Sequence, residues 1–202
     1  EFNGDTVIRI DDDDELDTDE EMTLVFWYKK KDAGPAGQIP LAKWYSGGSN
    51  PEGDWYVSTE NAEGVMREAL ILANGPDDFS VSSTNTANYS NWNLIIFTFK
   101  RGNAKKYVNG KLISEVNGGF SSLSTSEYWT DYITIGDVWA KNYNFYGCLD
   151  EIRLFNYELS SIEISEIYDN EKPKTQDEIV FSITVERPDL FTGINTNNLT
   201  EY

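Results

Sequence analysis

Histidine is missing from all 202 residues. With it go the commonest general base near neutral pH, the usual activator of a nucleophile and the usual zinc ligand. A Ser-His-Asp hydrolase is excluded on that ground, and a zinc enzyme would lack its preferred donor. Cysteine occurs once, as Cys148, so no disulfide can form within the chain; its place inside an apolar run reads as a small buried hydrophobe. Positive charge is scarce: Lys+Arg number 16 against 35 Asp+Glu, a net charge of −19 at pH 7. That balance repels nucleic acid and anionic membranes. It leaves two readings of the acidic surface, a solvated, salt-tolerant coat or an attractor of divalent cations. No apolar run is long enough to span a bilayer, so no membrane insertion is expected. There is no initiator Met and no signal peptide at Glu1-Phe2, and the chain reads as a processed protein or an excised domain.

What is abundant is aromatic: 14% of residues are Phe, Trp or Tyr, and they fall in alternating runs or in Gly/Asn-rich loops. In MTLVFWYKK, Met22, Leu24, Phe26 and Tyr28 share one face while Thr23, Val25 and Trp27 share the other. WNLIIFTFKR sets Ile95, Phe97 and Phe99 against Leu94, Ile96 and Thr98. Both runs are apolar enough on two faces to be central strands. Asn109-Gly110 between Tyr107-Val108 and Lys111-Leu112-Ile113 is a two-residue hairpin signal. Gly34-Pro35, Gly47-Gly48, Asn50-Pro51 and Gly75-Pro76 punctuate the loops. Short strands with frequent turns predict an all-β, antiparallel sandwich.

One helix is predicted, near the C-terminal end. In YGCLDEIRLFNYELSSIEISEIY, residues 146 to 168, Ser160 is an N-cap and Glu163 completes a capping box. Ile164, Ile167 and Tyr168 then give the helix one apolar face. The segment from Gly147 through Asp150, Glu151, Arg153, Asn156 and Leu159 to Glu163 and Ile164 resembles the closing signature of the laminin-G-like branch of the concanavalin A-like lectin/glucanase superfamily. Trp92 to Ile113 resembles that family's Y-V-N-G-K hairpin, Phe2 to Tyr28 its opening, and Ile39 to Ser58 its I-x-x-K-W strand and the strand after it. The resemblance covers roughly residues 2 to 170 and implies a jelly-roll β-sandwich.

The resemblance also implies a structural calcium, held by Asp150 with oxygens of the opening segment Asn3-Gly4-Asp5. Asp150 has the same parity as Cys148, Ile152 and Leu154, so it is expected to point inward; the other reading has it accept backbone N–H bonds or pair with Arg153. The acidic run Asp11 to Glu21 lacks the sixth-position glycine of an EF-hand. Within it, Glu15-Leu16-Asp17-Thr18-Asp19-Glu20 resembles the E-L-D-x-x-E catalytic motif of laminarinase-type glycoside hydrolases of the same superfold. Those enzymes need the motif on a strand that points two carboxylates into one cleft. Here it precedes the strand, so it reads as a hydrated loop, and no catalytic residue is assigned.

Aromatics beside polar residues and turns remain. Sugar rings stack on such side chains while Asp, Asn and Lys groups bond the hydroxyls. The candidates for glycan contact are Trp55, Tyr128, Trp129, Asp131, Trp139, Asn142 and Tyr143, with burial in the core as the competing reading for each; Trp27 and Trp44 are counted as structural. After Glu171 the character changes: Lys172-Pro173-Lys174 reads as a linker and Ile179 to Glu186 as a further strand. The domain expectation is a sandwich over 1–170 and a linker with a C-terminal strand or tail over 171–202, added to the sandwich or to a neighbouring domain or subunit. The functional expectation is a non-catalytic, extracellular or surface-exposed module that binds a glycan or glycosylated surface, with calcium as a structural ion. The alternative is a structural or adhesive module of a surface, fibre or virion assembly without a sugar site of its own.

Overall fold

A strand that is apolar on both faces belongs in a sheet whose two faces are both covered. Met22 to Tyr28 is such a run. In the computed structural model it lies near the centre of the first of two six-stranded antiparallel sheets packed as a sandwich. The structure describes residues 1–11, 16–31, 37–45, 52–62, 65–74, 77–84, 91–118, 121–123, 132–137 and 143–172; at 44–45, 52–54, 60–62, 65–67, 73–74, 77–78 and 84 the description is of the backbone. The first sheet runs β1 (Phe2–Asn3), β12 (Tyr146–Phe155), β3 (Glu21–Lys30), β8 (Asn93–Lys100), β9 (Asn103–Val108) and β10 (Lys111–Asn117). The second runs β2 (Ile8–Ile10), β11 (Ile133–Ile135), β4 (Gln38–Tyr45), β5 (Glu52–Ala62), β6 (Val65–Asn74) and β7 (Asp77–Thr84). The one helix among the described residues is α1 (Ser161–Glu171).

The two inner faces meet as alternation predicts. Met22, Leu24, Phe26 and Tyr28 of β3 and Ile95, Phe97 and Phe99 of β8 pack against Leu41, Trp55, Val57, Leu70, Leu72 and Ile133 of the second sheet. Each such side chain contributes about 1.5–3 kcal/mol by leaving water. At the β9–β10 turn Asn109 and Gly110 have φ of 50° and 77°, and positive φ at both central residues suits a hairpin whose strands twist right-handed. The Asn109 side chain fastens the turn to β8, accepting from Leu94 N–H at 2.9 Å and donating to Asn93 Oδ1 at 3.1 Å.

One expectation about the closing strand is corrected. Leu149 stands opposite Tyr28 and Asp150 opposite Trp27, but the register then shifts, so that Arg153 stands opposite Val25. Glu151, at φ 49°, is the left-handed residue of this bulge. The extra residue inverts the parity: Leu149, Ile152 and Leu154 all reach the core, and Asp150 is exposed on the outer face. Its Oδ1 accepts the Glu151 N–H at 2.9 Å. Cys148, on that same outer parity, is half-buried rather than a core residue. Residues Glu1–Lys172 form one compact unit; 173–202, with the predicted strand Ile179 to Glu186, lie outside the described residues.

Candidate functional site

The middle of the first sheet's outer face, over β3, β8 and β9, is covered by its own helix. Ser160 Oγ accepts the Glu163 N–H at 3.3 Å and Glu163 Oε2 accepts the Ser160 N–H at 2.7 Å, the predicted capping box. Ile164 is buried, and Ile167 and Tyr168 pack with it over Val25, Trp27, Leu94, Ile96 and Tyr107. Tyr168 stacks on Trp27 with ring centroids 6.2 Å apart. Trp27 Nε1 donates to Glu171 Oε2 at 2.9 Å, and Arg153 donates to both Glu171 oxygens at 2.7 Å. The Arg153 hydrogen bonds, with help from Trp27, hold the Glu171 carboxyl below the usual glutamate range. The part of the face under the helix offers a ligand little.

On the second sheet the short strand β11 organises the candidates. In the chain 124–131 comes before it and 138–142 after it, so this strand, about 10 Å long, separates the two aromatic candidate groups in sequence. Tyr128, Trp129, Asp131, Trp139 and Asn142 lie outside the described residues. Tyr143 is exposed; its carbonyl accepts the Ile39 N–H at 2.8 Å at the start of β4. Trp55 is corrected to a core residue: it sits 1% exposed on the inner face of β5, opposite Lys43 and Leu72. The polar neighbours that made it look loop-borne alternate with it along a strand.

Sequence reasoning passed over Arg9. It stands opposite Thr134 across the β2–β11 pairing, on the outer face, and its guanidinium carbon lies 3.5 Å from the centroid of the buried Tyr132 ring. Arg9 Nε pairs with Asp11 Oδ1 at 3.2 Å. A signal was available: Arg9 is the one basic residue among the first 28, set between Ile8 and Ile10 ahead of the acidic run.

Glu15 of the E-L-D-x-x-E resemblance lies outside the described residues, and the described acidic residues Asp17, Glu20 and Glu21 are spread among separate partners. Asp17 Oδ1 pairs with the Lys43 amine, whose side chain is 2% exposed and which also donates to the Leu16 carbonyl at 3.3 Å. Glu20 accepts from Arg101 Nε at 2.8 Å, and Glu21 pairs with Lys100 at 3.0 Å. Asp17 thus fastens the loop to the second sheet, while Glu20 and Glu21 face the β8–β9 turn of the first. The proposed calcium ligands also part company. Asn3 Oδ1 accepts the Asp5 N–H at 3.1 Å in a tight turn at Gly4, and Asn3 stands opposite Tyr146, four residues along β12 from the outward Asp150. These three do not form a common ligand set.

A second charged group is fully internal. Lys106 Nζ donates to Glu68 Oε2 at 2.7 Å and to the Glu68 carbonyl at 2.9 Å, with both side chains 1% exposed or less. Tyr28 Oη donates to Glu68 Oε1. Burial pushes the Lys106 and Lys30 amines down, with Glu68 opposing it. Glu68 lies on β6 and its partners on β3 and β9, so the cluster bridges the two sheets inside the core.

With this architecture in hand, the matching family is informative. The laminin-G-type model of the concanavalin A-like lectin/glucanases superfamily matches residues 2–165. The chain belongs to that superfamily. No curated protein matches it significantly. Among solved structures, this concanavalin A-like sandwich is similar to the binding domain of botulinum neurotoxin serotype G, at TM-score 0.66 and 16% identity over 84% of this chain and 41% of that one. It is similar to the CBM40 domain of a Ruminococcus gnavus IT-sialidase bound to α2,3-sialyllactose, at TM-score 0.61 and 17% identity over 75% and 84%. A third neighbour is domain 4 of a Geobacillus stearothermophilus extracellular arabinanase in complex with arabinotriose, at TM-score 0.58 and 17% identity over 82% and 74%. The chain spans about two-fifths of the toxin domain, and at these identities the likeness is one of fold.

Proposed function

We propose that this concanavalin A-like chain is a non-catalytic glycan-recognition module working from the second sheet and the segments that flank β11 in the chain. The observation that carries the proposal is the division of the surface. Helix α1 covers the middle of the first sheet's outer face, while β11 of the other sheet stands in the chain between the segments that hold Tyr128 and Trp129 and that hold Trp139, and Tyr143, just after the second segment, is exposed. Two fold neighbours solved with sugars support the reading. So does the chemistry: there is no histidine, and Asp17, Glu20 and Glu21 are each engaged by a different cation. A calcium ion at the opening turn would draw on Asn3, Asp5 and nearby carbonyls, without Asp150. An extracellular or surface location fits such a module; among the described residues no helix is long and apolar enough to cross a membrane.

A glycan-array screen of the purified chain, with calcium and with chelator, tests this. Binding to a defined sugar class that is lost in Trp129→Ala or Trp139→Ala is the expected result, with calcium dependence read from the chelator arm. A clean negative from folded protein would move the reading to an assembly module. One feature favours that second reading: among the described residues β2 is an edge strand, with Ile8 and Ile10 exposed at 48% and 42% and Val7 just before it at 48%, and open edges invite strand addition.

A further inference from the structure

We infer that Arg9 anchors a carboxylate-bearing sugar, so that the glycan is acidic and carries its charge singly; this rests on the glycan-binding reading above. The guanidinium is pre-organised. It lies flat enough on Tyr132 for a 3.5 Å approach to the ring centroid, and a cation over an aromatic face is held by the ring quadrupole. Tyr132 is 4% exposed, a fixed platform, whereas the Arg9 side chain is 48% exposed. Its ε nitrogen is engaged by Asp11, whose own side chain is 88% exposed.

The terminal amines are what remain. Arg101 gives Nε and Nη2 to Glu20, and Arg153 gives Nη1 and Nη2 to Glu171. Among the described arginine side chains, Arg9 alone has neither terminal amine committed to a carboxylate. A planar fork with two free N–H donors matches a carboxylate in bidentate geometry. The solvent-exposed Asp11 pair is a weak competitor, because exposed ion pairs contribute little. Sequence adds to this: Tyr132 follows directly in the chain on the segment bearing Tyr128, Trp129 and Asp131, the residues nominated for sugar contact.

The net charge narrows the class. A chain at −19 repels polyanions in proportion to their charge, so one carboxylate on an otherwise neutral saccharide fits better than a sulfated polymer. The ligand class is therefore a neutral oligosaccharide with a terminal sialic or uronic acid.

The test is titration calorimetry of the intact chain and its Arg9→Gln and Arg9→Lys variants. The probes are α2,3-sialyllactose, a glucuronic-acid-terminated disaccharide, lactose and a heparin oligosaccharide, and circular dichroism confirms the fold. The expected result is binding of one acidic probe at least tenfold tighter than lactose, lost at least tenfold in Arg9→Gln and partly restored in Arg9→Lys. Which acidic probe binds identifies the source of the carboxylate. Acidic binding untouched by Arg9→Gln, a preference for heparin, or binding of neutral sugars alone would overturn the inference and leave glycan recognition standing. Absence of binding to every saccharide, here and on the array, would overturn both.

Discussion

Glu68 and Lys106 show what a single side chain can decide in this molecule. Both are removed from water and each supplies the other's charge. Removing one partner leaves a buried ion without compensation, at a cost of about 3–5 kcal/mol, whereas replacing both with apolar residues of similar volume costs far less. Glu68→Gln should therefore lower the urea midpoint sharply, and the Glu68→Leu/Lys106→Leu double variant should recover most of the loss. If the double variant is as unstable as the sum of its single changes, the two charges are not coupled. At this scale the sequence was only partly legible. Periodicity placed Met22, Phe26 and Phe97 correctly in the core, because alternation is enforced wherever a sheet face is buried. It failed at Asp150, where one bulged residue inverted the parity, and at Trp55, where flanking polar residues masked an inward ring. Arg9 was missed because its meaning comes from Tyr132, more than a hundred residues away in the chain.

Helix α1 is the element whose boundaries and apolar face were most legible, since capping and i, i+3, i+4 spacing are local. Its anchorage is a long-range matter. Glu171 carries two hydrogen bonds from Arg153 and one from Trp27, and they hold its folded carboxyl below the range it has when unfolded. The stabilisation is complete above the unfolded value and is lost as pH falls through the folded one. Glu171→Gln should cost about 1–2 kcal/mol at pH 7, the worth of hydrogen bonds to a charged group. Because wild type loses the same advantage on acidification, the gap between the two proteins in urea unfolding should narrow as pH falls below the usual glutamate range and close once the folded carboxyl is protonated. A gap that does not narrow on acidification would show that the Glu171 charge is irrelevant to docking. The Asn109-Gly110 turn was equally legible, because so few residues accept positive φ at both positions. The strand order across each sheet was not: nothing local announces that β2 pairs with β11, or that β1 lies beside β12.

The whole molecule carries more like charge than its ion pairs neutralise. Surface pairs such as Arg9–Asp11 and Lys172–Asp169 are worth up to about 1 kcal/mol each and weaken in salt. The net charge of −19 repels itself at every distance within the screening length. The second effect wins, so raising NaCl from about 20 to 300 mM should raise Tm by roughly 3–6 °C for a gain of 1–2 kcal/mol. A Tm that falls with salt would mean the pairs dominate. At this scale the sandwich itself was legible from alternation and the family motifs, while the routing of its two ends was not. Phe2–Asn3 engages β12 through two paired residues, and Glu171 grips the same strand through Arg153. Both ends of the compact unit are thus fastened near a single strand, by few bonds, while β3 and β8 share eight paired positions behind it. Under a pulling force applied at those ends, β1 and the last turn of α1 would peel away one bond at a time. On the N-terminal side the force would then reach β2 after four intervening residues, so the three pairs that hold the strand of Arg9 to β11 would be the next fastening to give way.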